Sequence, residues 1–160
     1  MSQAMGVDPS DWAMWRDLTT MRARVERALE QRLQRDAAIS AADFDVLRSL
    51  AGAEGGRLRA GALAEALAWE KSRISHQVRR MAERGLVSRA ECPTDLRGTW
   101  VVLTEAGADA YAAASCGYVE TLEETLFSRL EPDDKRALHR AAAAVMDGRL
   151  APDAQPSPTR

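Results

Sequence analysis

Apolar residues recur every three or four positions through most of this chain, and the period changes near residue 86. Trp12, Trp15, Leu18, Val25, Leu29 and Leu33 predict one long amphipathic helix ending near Asp36. Asp8 can cap its start, Pro9 suits the first helical position, and Asp11 suits the first turn. Ser40 followed by Asp43 reads as a capping box that opens a second helix, whose apolar side is Phe44, Val46, Leu47 and Leu50. The stretch "GAEGG" at 52–56 is a loop. Leu63, Ala64 and Leu67 then predict a short helix. After a tight break near Ala68, Ile74, Val78 and Met81 predict another, stopped by Gly85.

Past Gly85 the alternation shortens to two. "LVSRAE" and "TWVVLT" read as strands joined by "CPTDLRG". Thr104 caps a further helix, in which Ala-rich sequence leads into Val119, Leu122, Leu126 and Leu130. Glu131-Pro132 starts the last helix, with Leu138, Ala142, Val145 and Met146 expected to face inward. The Pro-rich end "LAPDAQPSPTR" has the composition of a disordered tail.

The order is helix, helix, helix, helix, hairpin, helix, helix, a mainly α chain with a small β-hairpin. The expected architecture is a winged helix-turn-helix lobe over 40–104 flanked by helical segments at 8–36 and 105–148, with the tail at 149–160. A length of 160 residues suits one such domain with long flanking helices. No apolar run is long enough to cross a membrane, and "MSQAMGVDPSDW" lacks the pattern of a secretion signal, so a cytoplasmic protein is expected. In that compartment Cys92 and Cys116 are expected as free thiols.

Charge sharpens the picture. The net charge of −2 conceals a polar distribution. Between Arg57 and Trp100 nine cations face five carboxylates, whereas between Glu105 and Asp134 Arg129 alone faces eight carboxylates. The basic segment coincides with the paired short helices and the hairpin. There is no glycine-rich phosphate loop, no nucleophile elbow and no His/Cys constellation, which argues against an enzyme, and no cofactor or metal site is expected.

Two short helices with a tight turn, followed by a hairpin, suit DNA. A major groove admits one helix, and the preceding helix holds that reader at a fixed angle. Lys71, Ser72, Arg73, Ser75, His76 and Arg79 are the candidate contacts, lying largely opposite the apolar stripe of Ile74, Val78 and Met81. The hairpin tip carries Asp95-Leu96-Arg97-Gly98. A cation on a thin loop can enter a narrow minor groove, and a carboxylate two residues away can hold its guanidinium in one orientation.

The run "LAEALAWEKSRISHQVRRMAERGLVSR", then D-L-R-G and "VVLTEAG", resembles the MarR family of bacterial transcription regulators. The D-x-R tip followed by L-T-x-x-G is the most specific part of the likeness, which spans nearly the whole chain. The resemblance implies a homodimer joined by its first and last helices, with a reading helix from each subunit in a major groove of a palindromic operator. It implies that Arg97 reaches the flanking minor groove, supported by Asp95. It also implies repression of nearby genes, and release from DNA when a small aromatic effector, or an oxidant, acts between the dimer helices and the DNA-binding lobe. One departure is local: many members have glycine before the aromatic residue in the turn, where this chain has Ala68-Trp69.

Several residues have two readings. Trp12 and Trp15 are candidates for an effector pocket or, more plainly, for dimer core. Cys92, at the base of the wing, is either an oxidant sensor or an inert thiol. Trp69 and Trp100 are expected to pack at the turn and on the wing, Cys116 to pack within its helix, and His139 to lie at a surface or interface. The rival to DNA binding is a winged-helix module whose wing and helix face bind another protein.

Overall fold

The structure, a computed structural model, describes residues 6–92 and 95–147, with the side chains of 91–98 and 147 outside the description. The Asp8-Pro9 start behaves as its chemistry predicts: Asp8 accepts hydrogen bonds from the backbone N–H and the hydroxyl of Ser10, which hold its carboxyl below the usual range. Helix α1 runs Pro9–Ala37 and closes on Ala38 in the left-handed region, at φ 52°. Its apolar stripe is buried only at Leu29 and Leu33; Trp12, Met14, Trp15, Leu18 and Met21 are exposed.

Helix α2 (Ala41–Ala51) opens on the capping box expected from Ser40 and Asp43. The Asp43 amide donates to Ser40 Oγ at 3.1 Å, and the Ser40 amide donates to Asp43 Oδ2 at 2.9 Å. Three residues after the following loop, Arg57–Arg59, form strand β1, which the apolar pattern does not announce. Helix α3 (Ala60–Leu67) and helix α4 (Lys71–Glu83) follow, then strands β2 (Val87–Cys92) and β3 (Asp95–Leu103). The sheet therefore has three antiparallel strands in the order β1-β3-β2, rather than the two of a hairpin. Its strands also extend further into the "CPTDLRG" connection than expected. Positions 93 and 94 of that connection are outside the described residues.

One core unites these elements. Leu33, Ile39, Phe44, Leu47, Leu50, Leu63, Ile74, Val78, Met81, Leu86, Val87 and Val101 are buried together, each such side chain contributing roughly 1.5–3 kcal/mol. Phe44 stacks on Tyr118 with ring centroids 4.4 Å apart. Helix α5 (Glu105–Thr125) is fixed at its start by Thr104. The Thr104 hydroxyl donates to the Gly85 carbonyl at 2.7 Å and accepts from the Gly107 amide at 3.0 Å. Gly85, at φ 75°, ends α4 as its position predicts. Gly107 explains the glycine of the L-T-x-x-G run: a Cβ there would overlap the Leu86 carbonyl and press on Leu103.

The chain divides into two compact units after Leu122, and each is described by itself. In the second, Leu126 and Leu130 flank a short 3-10 turn, Phe127–Arg129, rather than continuing α5. Helix α6 is Pro132–Asp147. Leu138, Val145 and Met146, expected inward, are exposed at 37%, 79% and 76%. An apolar stripe marks a face that needs cover, and within this unit Val145 and Met146 are left uncovered. Leu126, Phe127, Leu130, Leu138, His139 and Ala142 line a shallow, largely apolar pocket of about 270 Å³ in this unit. Cys116 is likewise exposed on α5 rather than packed, because Gly107, Ala114, Gly117 and Thr121 take the inner face.

Two substitutions test these local readings. Gly107→Ala should destabilise by roughly 1–3 kcal/mol, because the new methyl meets backbone rather than a movable side chain; an unchanged urea midpoint would contradict this. Ala68 ends α3 at φ 51°, so Ala68→Gly should stabilise by up to about 1 kcal/mol in the same assay, and a loss would count against strain at that turn.

Candidate nucleic-acid interface

Helix α4 buries Ile74, Gln77, Val78 and Met81 and leaves Lys71, Ser72, Arg73, Ser75, His76, Arg79 and Arg80 exposed. This separation follows from helical period: Ser72, His76 and Arg79 fall opposite the centre of the buried stripe. The α3–α4 turn at Ala68, with Trp69 donating its amide to the Ala64 carbonyl at 2.9 Å, sets the angle at which this face is presented. The face is pre-ordered in part. Arg79 donates to His76 Nδ1 at 3.3 Å, which requires that nitrogen unprotonated, and the Ser75 hydroxyl donates back to the Lys71 carbonyl at 3.0 Å.

Arg73 stands on the flank of this helix. Its guanidinium lies 3.8 Å from the centre of the Trp69 ring, a cation–π contact that turns the side chain toward α2. There it borders a crevice of about 650 Å³ lined by residues of α1, α2, α4 and α5, among them Arg27, Asp45, Trp69, Arg73 and Tyr118. Burial pushes the Asp45 carboxyl above its ordinary range, and the Arg48 and Arg73 guanidiniums oppose that shift. Trp12 and Trp15 do not line this crevice. They are exposed on the first half of α1.

On the outer face of the sheet, Trp100 is half-buried beneath the guanidiniums of Arg57 and Arg59, 5.0 and 5.5 Å from its ring centre. The strand that carries both arginines was not legible in the sequence, although the Arg-x-Arg spacing puts them on one face of any strand. The wing residues Asp95 and Arg97, and Cys92 at its base, have side chains outside the described residues. Among the described residues no cluster of His, Cys, Asp and Glu is arranged to hold a metal, and no helix is long and apolar enough to cross a membrane.

A reading helix held by a partner helix at a fixed turn, backed by a three-stranded wing, defines a winged helix-turn-helix protein. The comparisons narrow the class. The MarR family model matches residues 39–98. The structure of AbsC, a MarR family transcriptional regulator from Streptomyces coelicolor, is similar over 88% of this chain and 95% of that one, with 30% identity and a TM-score of 0.83. The chain belongs to the MarR family of transcription regulators. Sco3205, another MarR family regulator of Streptomyces coelicolor, solved in complex with DNA, is 29% identical over 96% of this chain and 95% of that one, with a TM-score of 0.86. An organohalide-sensing regulator in its 2,4-dichlorophenol-bound form shares the fold at 18% identity and a TM-score of 0.78, covering 92% of this chain and 88% of that one. No curated protein matches the sequence.

The crevice makes a prediction about pH. Because the folded state raises the Asp45 pKa, it holds this proton more tightly than the unfolded chain does. Stability on this group's account therefore falls as pH rises through its titration range. Asp45→Asn should raise the melting temperature at about pH 7, and the gain should shrink toward about pH 2, where the carboxyl is protonated in the folded and the unfolded chain alike. A gain independent of pH would contradict the burial effect.

Proposed function

We propose that this regulator is a homodimeric repressor that binds a palindromic operator and releases it when a small aromatic ligand binds. The observation that carries the DNA-binding part is the exposed polar face of α4, held by the α3–α4 turn while the opposite face is buried in the core. The DNA-bound state of Sco3205 supports the same use of the fold here. Lys71, Ser72, Ser75, His76 and Arg79 contact base edges and the groove walls. Arg73 approaches from the flank, and Arg97, oriented by Asp95, enters the adjoining minor groove.

Homodimerisation is supported by the apolar residues that each unit leaves uncovered: Trp12, Met14, Trp15, Leu18 and Met21 on α1, and Leu138, Val145 and Met146 on α6. Trp12 and Trp15 are accordingly interface residues in this reading. Two subunits related by a twofold axis place their reading helices about one helical turn, roughly 34 Å, apart.

Effector response is supported by the crevice beside α4. It offers a flat aromatic wall at Trp69 and cations at Arg27 and Arg73, which suit a planar phenolic or carboxylic ligand. The dichlorophenol-bound relative supports this ligand class. A ligand there meets Arg73, a residue of the reading helix itself. It releases DNA to the extent that it prefers a dimer with the reading helices wrongly spaced.

The test is binding to the duplex upstream of the protein's own gene, over a salt series, with random duplex as competitor. Competitor-resistant binding with a steep loss of affinity at rising salt is expected, and binding no tighter than to the competitor would contradict operator recognition at that site. Arg97→Ala should weaken operator binding at matched salt while leaving the dimer folded. A panel of phenols and aromatic acids should contain compounds that lower operator affinity and change Trp69 fluorescence; if none does, the effector reading fails.

A further inference from the structure

Gln77 occupies a core position on α4 and is only 4% exposed. A polar side chain so deep in an apolar stripe needs partners on both its donor and acceptor atoms, and the structure supplies them. Gln77 Nε2 donates to Asp43 Oδ1 at 2.6 Å. The other Asp43 oxygen accepts from the Ser40 amide and, at 2.7 Å, from Arg84 Nη1. A second Arg84 nitrogen donates to the Ala38 carbonyl at 2.7 Å. Asp43 is itself only 3% exposed. Its carboxylate can only accept, so the Gln77 amide has one permitted orientation: nitrogen toward Asp43, oxygen toward Arg80. That oxygen accepts a hydrogen bond from Arg80 Nη2.

Arg80 is exposed, seven residues beyond Arg73 and on the same flank of α4. It lies in the second half of the helix, where a major-groove reader runs beside the groove wall rather than the base edges. A guanidinium has donors on several edges. One is engaged by the fixed Gln77 oxygen, and the residue is exposed, which leaves its other donors open to a further acceptor.

We propose that Arg80 is a phosphate-backbone anchor of the reading helix, and that Gln77 is its positioning residue, with Asp43 fixing the Gln77 amide. The proposal rests on the DNA-binding reading above and adds a contact that it does not contain. An oriented arginine loses less rotational freedom on meeting a phosphate than a free one. The capping box of α2 thus reaches the DNA surface through two hydrogen bonds.

Because a phosphate contact is indifferent to sequence, the probe is a random-sequence duplex, with affinity measured across a salt series for the full chain. Arg80→Ala should weaken binding about tenfold and reduce the slope of log affinity against log salt by about 0.9 per subunit. Gln77→Met keeps every charge and nearly the same volume. It should reproduce most of the affinity loss, and the double variant should be no weaker than Arg80→Ala alone. A purely structural Gln77 would lower the melting temperature without this non-additivity. Arg80→Ala leaves the buried network intact, so it tests the contact even if Gln77→Met folds poorly. An unchanged slope for Arg80→Ala, or losses that simply add in the double variant, would overturn the proposal. If the unaltered protein shows no salt-dependent duplex binding, the DNA-binding reading itself fails and this proposal with it.

Discussion

A buried carboxylate organises the helix-turn-helix half of this molecule. Asp43 accepts from Gln77, Arg84 and the Ser40 amide within a core that is otherwise apolar. An isolated ion at that depth would be very costly, so α2, α4 and the end of α1 must hold their mutual positions to keep it satisfied. Leaving such a buried acceptor without a partner typically costs about 1–3 kcal/mol or more, beyond the worth of a surface pair. Hydrophobic packing of Ile74, Val78 and Met81 holds α4 against the core. The Asp43–Gln77 hydrogen bond adds a directional contact to the same face, and together they decide which residues of α4 face outward.

The same constraint explains why one helix can serve two surfaces. Its outward face carries Ser72, His76 and Arg79, while its flank carries Arg73 over Trp69 and Arg80 beside Gln77. The flank borders the crevice formed by α1, α2 and α5. In the proposed reading, a ligand in that crevice and a duplex on the outer face meet the same element, without any need for a long path between them. At the other end of α4, Gly85 and Thr104 tie the helix to the start of α5, so a displacement of α4 would be felt along α5 as well.

Local chemistry was the most legible part of the sequence. The Asp8-Pro9 start, the Ser40/Asp43 box, the Gly85 stop and the switch to strand period are each written in a few adjacent residues, and each appears where it reads. Strand β1 was not legible, because Arg57-Leu58-Arg59 offers a single apolar position and no alternation to detect. Gln77 reads as one more polar residue on a basic helix, and only its burial against Asp43, 34 positions away, reveals its part. The crevice was equally hidden, since its walls come from four separate helices. The stripes of α1 and α6 were legible as apolar faces, but an apolar pattern does not say whether the cover comes from the same chain. In the structure the first half of α1 and much of α6 are uncovered.

The proposed interface sets the outward face of α4 in the major groove. Guanine N7 is exposed only in that groove, so methylation of N7 by dimethyl sulfate, with and without bound protein, tests it most directly. On the DNA upstream of the protein's own gene, or any duplex selected for tight binding, the account predicts two patches of protected N7 about one helical turn apart. Binding that protects the sugar–phosphate backbone from cleavage while leaving every N7 fully reactive would contradict it.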